Sequence, residues 1–211
     1  MDIQTTSNKN YFIGGINGVG KTTILTEISK KDSNFEVIKI SICLMNWLGI
    51  KEKDSIAFTK VPESIKSREL VKMMESLIKR GQLSKKTLLF DSHYIIPTNR
   101  GLVEATGNWI SNMDSLFILT SPAEEILARI EGEEIKTGRQ RSIINTNMPQ
   151  KQKLNILRIY QEKCLDCAKS ISKKYKLPLY EITNESGKID LTVASFINIH
   201  NTLIHNMPNT T

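Results

Sequence analysis

The run from Gly15 to Thr22, Gly-Ile-Asn-Gly-Val-Gly-Lys-Thr, fits the pattern G-x-x-x-x-G-K-[ST] at every fixed position. That spacing binds the phosphates of a nucleoside triphosphate. Glycines let the backbone curl until successive N–H groups face one anion, and a helix starting at the end of the loop adds its positive pole. Gly15, Asn17, Gly18, Val19 and Gly20 then form the cradle for ATP. Lys21 reaches the β- and γ-phosphates, and Thr22 ligates magnesium through its hydroxyl, leaving Thr23 as the helix residue beside the α-phosphate. Asp91 is the second chemical candidate, because the apolar run Thr87–Phe90 reads as a buried strand ending in a carboxylate. In P-loop proteins such an aspartate holds magnesium, usually through a water. Arg129, Arg139 and Arg141 form a third group, in a charged segment where packing demands no charge. Guanidinium groups closing over a transferred phosphoryl group lower the barrier and shut out water, so this segment, about 129–147, reads as a short lid. An exposed loop whose arginines pair with Glu131, Glu133 and Glu134 is the plainer alternative.

These residues need a scaffold, and the order of elements supplies one. Strands are expected near 11–16, 37–42, 87–91, 116–120 and 179–182, with helices over 21–30, 63–80, 122–130, 149–175 and 190–204. Ser121-Pro122 reads as the cap and first turn of the fourth-strand helix, which puts Arg129 at a helix end. Alternating strands and helices make an α/β fold, a five-stranded parallel sheet with helices on both faces, and its ligands bind at the carboxyl ends of the strands. Nothing in the 211 residues reads as a linker, so a single domain spanning 1–211 is expected.

Hydrophobic content of 39% and charged content of 24% are ordinary for a soluble protein. No apolar run approaches a membrane span, the first ten residues lack the apolar stretch of a signal peptide, and a cytoplasmic location is expected. The net charge of +7 suits a binder of polyphosphate as well as one of nucleic acid. Lys151, Lys153, Arg158, Lys163, Lys169, Lys173, Lys174 and Lys176 read as a solvated face of the long helix, so nucleic acid is the less favoured partner. Cys164-x-x-Cys167 has zinc spacing but no second ligand pair. With Leu157, Tyr160, Ala168, Ile171 and Tyr175 these cysteines recur at helical spacing, as core-facing residues do.

Assembled, the motifs resemble the nucleoside monophosphate kinases, and among them the archaeal type of adenylate kinase. Gly14 to Thr23 is similar to that family's opening, Leu89-Phe90-Asp91-Ser92-His93-Tyr94-Ile95-Ile96 resembles its Asp-Thr-His segment, and Arg139-Gln140-Arg141 looks like the Arg-x-Arg of its lid. The resemblance implies an NMP-kinase-like P-loop fold in which the loop holds ATP, Asp91 organises magnesium and the lid arginines clamp the transferred group. It also implies a small-molecule acceptor, AMP, between the end of the second strand and the 63–80 helix, in an acceptor region of about 43–80. The family carries arginine before that helix and again after Asp-x-His; this chain has Thr59-Lys60 with Arg68 further on, and Pro97 with Arg100 further on. Lys60, Arg68, His93 and Arg100 are therefore the acceptor-site candidates, although lysine lacks the bidentate fork of arginine. His93 serves the acceptor or a magnesium-bound water, or else ties down its loop. Trp47 and Phe58 form a slot for an acceptor base, or else belong to the core. The loop Thr183–Gly187 is where the family contacts adenine, largely through backbone, so its side chains carry little information.

Three functions follow. Phosphorylation of a monophosphate needs no base, because the acceptor is already anionic. Phosphorylation of a hydroxyl compound needs one, and Asp91 is placed to serve. An ATPase switch acting on a protein or nucleic acid would dock through the basic helix. Oligomerisation is compatible with all three.

Overall fold

The computed structural model describes residues 8–98, 101–137, 144 and 147–205. Strands β1 (Asn10–Gly14), β2 (Phe35–Lys39), β3 (Thr87–Asp91), β6 (Ser115–Thr120) and β7 (Leu179–Thr183) form one sheet, and β4 (Ile95–Thr98) pairs with β5 (Gly101–Glu104) as a separate hairpin. Helices are α1 (Lys21–Lys31), α2 (Ile40–Trp47), α3 (Ser55–Lys60), α4 (Glu63–Ser84), α5 (Ala123–Thr137), α6 (Gln150–Tyr175) and α7 (Ile189–His205), with a 3-10 turn at Asn108–Asn112. The large sheet runs β2-β3-β1-β6-β7, and every neighbouring pair is parallel. β6 is buried along its whole length, as is β3 up to Phe90, which is why they read as unbroken apolar runs rather than alternating ones.

From β1 the chain crosses to β2 on one side, and from β3 it crosses to β6 on the other. β1 and β3 are adjacent, so their onward connections diverge and open a crevice at their carboxyl ends. The loop after β1 is the glycine-rich loop, and the last residue of β3 is Asp91. Register pairs Asp91 with Ile13 on one side and Lys39 on the other, placing all three at one edge of the sheet.

Several elements depart from the sequence reading. The second strand stops at Lys39 rather than at 42, and Ile40 begins α2. The apolar residues of 37–42 alternate like a strand, yet Ile40, Leu44 and Met45 are buried at helical spacing, and the tertiary contacts favour the helix. α5 continues past 130 to Thr137, so Arg129 lies inside a helix rather than at its end. Glu and Ile are adequate helix formers, and Gly132 alone does not stop them. Ser121, expected to cap that helix, directs its Oγ to Asn184 O at 2.6 Å. The hairpin β4–β5 was not anticipated, because Pro97 inside a short run argues against a strand except at an edge.

On α6, Leu157, Tyr160, Cys164, Ala168 and Ile171 are buried, as their spacing requires. Burial pushes the Cys164 thiol up to about 12 and the Cys167 thiol up to about 11, which suits packing rather than thiolate chemistry. Among the described residues no cluster of three His, Cys, Asp or Glu side chains could hold a metal ion, and no helix is long and apolar enough to cross a membrane. Of the basic residues on α6, Lys153 is buried against Glu131 and Arg158 pairs with Glu124.

Behind the sheet, α7 packs Phe196 and His200 against Tyr11, Phe35 and Phe117. Tyr11 Oη and His200 Nδ1 are 3.0 Å apart. Burial lowers the His200 pKa from its ordinary value, with Asp32 opposing and Lys9 adding to the effect. An imidazole that resists protonation in the fold, but not in the unfolded chain, makes stability fall as pH drops through about 6.5, the unfolded value, and level off below the lowered folded value. Urea midpoints measured between about pH 7.5 and 5 are expected to show this slope in the wild type and to lose it in His200→Gln, since Gln does not titrate.

Candidate active site

The crevice above β1 and β3 is a cleft of about 1010 Å³ whose wall includes Asn17, Gly18, Gly20, Lys21, Thr22 and Thr23 from the glycine loop and α1. Gly18 and Gly20 have φ of 88° and 91°, in the left-handed region that side-chain-bearing residues rarely occupy, and this curls the loop. Val19 is fully buried and anchors the loop beneath its polar rim. Lys21 is 8% exposed, and its Nζ donates to Gly15 O at 2.8 Å and to Ile16 O at 3.3 Å. The ammonium is thus held inside the curl of the loop.

Asp91 lines the same cleft. Burial raises its pKa, while the nearby Lys21 and Lys39 pull it down. Thr22 and Asp91 both offer oxygen donors to this cavity, which suits a hard cation that keeps part of its water shell and is held chiefly by phosphates. Beside Asp91, His93 Nδ1 lies 2.9 Å from Gly15 O. A carbonyl only accepts, so Nδ1 carries the proton and the ring ties the Asp91 loop to the phosphate loop.

On the β6/β7 side a polar brace grips the loop, and its Arg129 lines the cleft together with Glu133. Arg129 donates from Nη1 to Gly18 O and Val19 O, both at 3.3 Å, and to Ser121 Oγ at 3.1 Å. Its Nη2 donates to Glu125 at 2.7 Å and to Ser186 Oγ at 3.1 Å. Hydrogen bonds from Ser186, with Arg129 beside it, hold the Glu125 carboxyl below its ordinary range. Asn184 Nδ2 donates to Val19 O at 2.7 Å. The Thr183–Gly187 loop, expected to contact adenine through its backbone, also contributes the side chains of Asn184 and Ser186 to the brace. Their partners are distant in sequence, so no local pattern could mark them.

On the β2/β3 side the wall is Lys39, Ser41, Ile42, Met45, Glu52, Ser92 and His93. Lys39 and Glu52 were not singled out from the sequence; Lys39 would have been, as a strand-end residue, had the strand been ended at 39. The wall does not include Lys60 or Arg68. Lys60 is exposed at the end of α3, and Arg68 is exposed and paired with Glu69 at 2.9 Å. Trp47 is 46% exposed and donates to Glu69, while Phe58 packs against the core beneath the Lys66 ammonium. Arg100, Arg139 and Arg141 lie outside the described residues.

A parallel sheet of this order, a glycine loop running into a helix and an aspartate on the adjacent strand end together define a P-loop nucleotide-binding fold. The chain belongs to the AAA domain family, which it matches over residues 14–148, from the glycine loop through the end of the charged segment. Comparison with curated proteins finds no match. Among solved structures it is similar to shikimate kinase from Bacteroides thetaiotaomicron, with 12% identity and a TM-score of 0.59 over 92% of this chain and 98% of that one. It is also similar to shikimate kinase from Acinetobacter baumannii in complex with shikimate, with 14% identity and a TM-score of 0.56 over 96% and 97%. A third is shikimate kinase from Aquifex aeolicus, with 10% identity and a TM-score of 0.54 over 94% and 99%. At such identities the likeness is one of fold, and the fold does not name the acceptor.

Proposed function

We propose that this protein transfers the terminal phosphoryl group of magnesium-ATP to a hydroxyl of a small acceptor held between Asp91 and α2. The observation that carries this reading is the placement of Asp91 in the cleft beside Lys21, with Lys39 set, among the described residues of the acceptor side, against the carboxylates of Glu52 and Asp91. Such a wall does not favour a dianionic phosphate; it suits an uncharged or zwitterionic hydroxyl compound. Burial that raises the carboxyl pKa makes Asp91 a better base than a solvated aspartate.

The cradle and Lys21 hold the β- and γ-phosphates, and Thr22 with Asp91 would hold magnesium, Asp91 through a water. When bound, magnesium neutralises charge on the phosphate oxygens. Asp91 accepts the proton of the acceptor hydroxyl as its oxygen bonds to the γ-phosphorus. The bond from that phosphorus to the bridging oxygen breaks, and ADP leaves with the electron pair. Proposed roles for Arg139 and Arg141 remain those of a lid that neutralises the γ-oxygens.

A second reading keeps a nucleoside monophosphate, AMP first, as acceptor. Lys39 favours it, being a cation at the strand end beside Asp91, with Lys60, Arg68 or Arg100 as candidates to complete a phosphate site. A coupled assay of ADP formation separates the readings, with nucleosides, small polyols, amino alcohols and hydroxy acids offered beside AMP, CMP, UMP, GMP and dTMP. Stimulation by a hydroxyl compound, with one ADP per turnover and none from monophosphates, is the expected result. Two ADP per turnover with AMP would replace it with an adenylate kinase. Slow hydrolysis unmoved by any acceptor would replace both with an ATPase switch.

A further inference from the structure

We infer that Asn184 is a positioning residue of the phosphate loop, aiming the Gly20 N–H into the cleft by holding the carbonyl on the other side of the same peptide. The inference rests on nucleotide binding at the loop and is independent of the acceptor.

In a trans peptide the C=O and N–H point in opposite directions. A loop that turns its N–H groups toward an anion must therefore turn the attached carbonyls away from it, toward donors in the protein. The carbonyl of Val19 shares its peptide with the N–H of Gly20, and the carbonyl of Gly18 shares its peptide with the N–H of Val19. Asn184 Nδ2 donates to Val19 O at 2.7 Å, and Arg129 Nη1 reaches both carbonyls at 3.3 Å. The Asn184 bond is thus the shortest of those three and sits on the peptide that leads into Gly20, the N-cap of α1.

Asn184 is itself immobilised. It is 4% exposed, its N–H donates to Thr120 O at 2.8 Å, and its carbonyl accepts from Ser121 Oγ at 2.6 Å. The amide also touches the loop directly, because a Cβ placed on Gly20 would lie 2.4 Å from Nδ2. Gly20 has φ of 91°, so that position is closed to side chains by both contact and conformation. Among the described residues Asn184 Oδ1 is buried without a hydrogen-bond partner. A buried acceptor left unpaired is a cost that an apolar residue of similar size would avoid. What the amide supplies to the loop is its donor.

The test is ADP and adenosine binding by calorimetry to full-length wild type, Asn184→Ala and Asn184→Ser, with melting followed by circular dichroism. Serine keeps a polar group in the buried site but is too short to reach Val19 O. Both variants are expected to bind ADP about tenfold more weakly, the scale of one hydrogen bond to a buried group, while adenosine, which lacks the phosphates, changes less than twofold. ADP affinity within twofold of wild type in a folded variant, even one with a lower melting temperature, overturns the inference and leaves Asn184 a packing residue. An equal loss for adenosine also overturns it, since Asn184 then serves the base. Failure of the wild type to bind ADP would instead overturn the nucleotide reading itself.

Discussion

Asp91→Asn is expected to lower kcat by about 10²- to 10⁴-fold, the usual contribution of a positioned general base, while ADP still binds. Asparagine keeps the shape at the end of β3 but cannot take a proton, and it is a poorer partner for a water on magnesium. The same change is expected to raise the thermal stability of the protein free of nucleotide and magnesium at neutral pH. The sign follows from the raised pKa of the folded carboxyl, whose first cause is burial and which Lys21 and Lys39 only partly offset. A group that holds its proton more tightly in the fold than in the unfolded chain costs stability once it ionises. That cost is absent below the ordinary aspartate value near 3.9, grows as pH rises through the folded value and is complete above it. Melting curves of wild type and variant should therefore converge on acidification and separate near neutrality. Unchanged turnover in Asp91→Asn would remove Asp91 from the chemistry; a less stable variant at pH 7 would show that its charge is net favourable in the fold.

Lys21→Ala is expected to reduce turnover by about 10²- to 10³-fold, comparable to deleting one preorganised donor to a developing charge. Lys21 is the loop's ammonium, nearly buried, and its Nζ bonds to Gly15 O and Ile16 O hold it within the curl that receives the phosphates. Its loss also takes a positive charge from beside Asp91, so the acid limb of any residual activity should move to higher pH. Steady-state kinetics with ATP varied, combined with direct binding of ADP, separate the effect on chemistry from that on affinity. Wild-type kcat in the variant would sink the phosphate-loop assignment.

The sheet and the cradle were legible in the sequence because their signals are local. Gly15, Gly18, Gly20, Lys21 and Thr22 carry their geometry in spacing, and the buried strands β3 and β6 carry theirs in unbroken apolar runs. The chain around Lys39–Met45 was misread because a short apolar stretch satisfies strand and helix periods alike, and packing of Ile40 and Leu44 decides between them. Arg129 was legible as a cation near the loop, but its residence within α5 and its bonds to Gly18 O and Val19 O were not, since both depend on where α5 lies against the loop.

By itself, then, the sequence determined a phosphate loop on a parallel α/β sheet, with Asp91 at the end of the neighbouring strand. Only the tertiary structure decided what surrounds that cradle: Lys39 and Glu52 in the wall of the cleft, Lys60 and Arg68 outside that wall, and Asn184 and Arg129 bracing the loop. The reason is range. A phosphate loop is built from consecutive peptides, whereas an acceptor wall and a brace are built from strand ends that meet only when the chain has crossed the sheet.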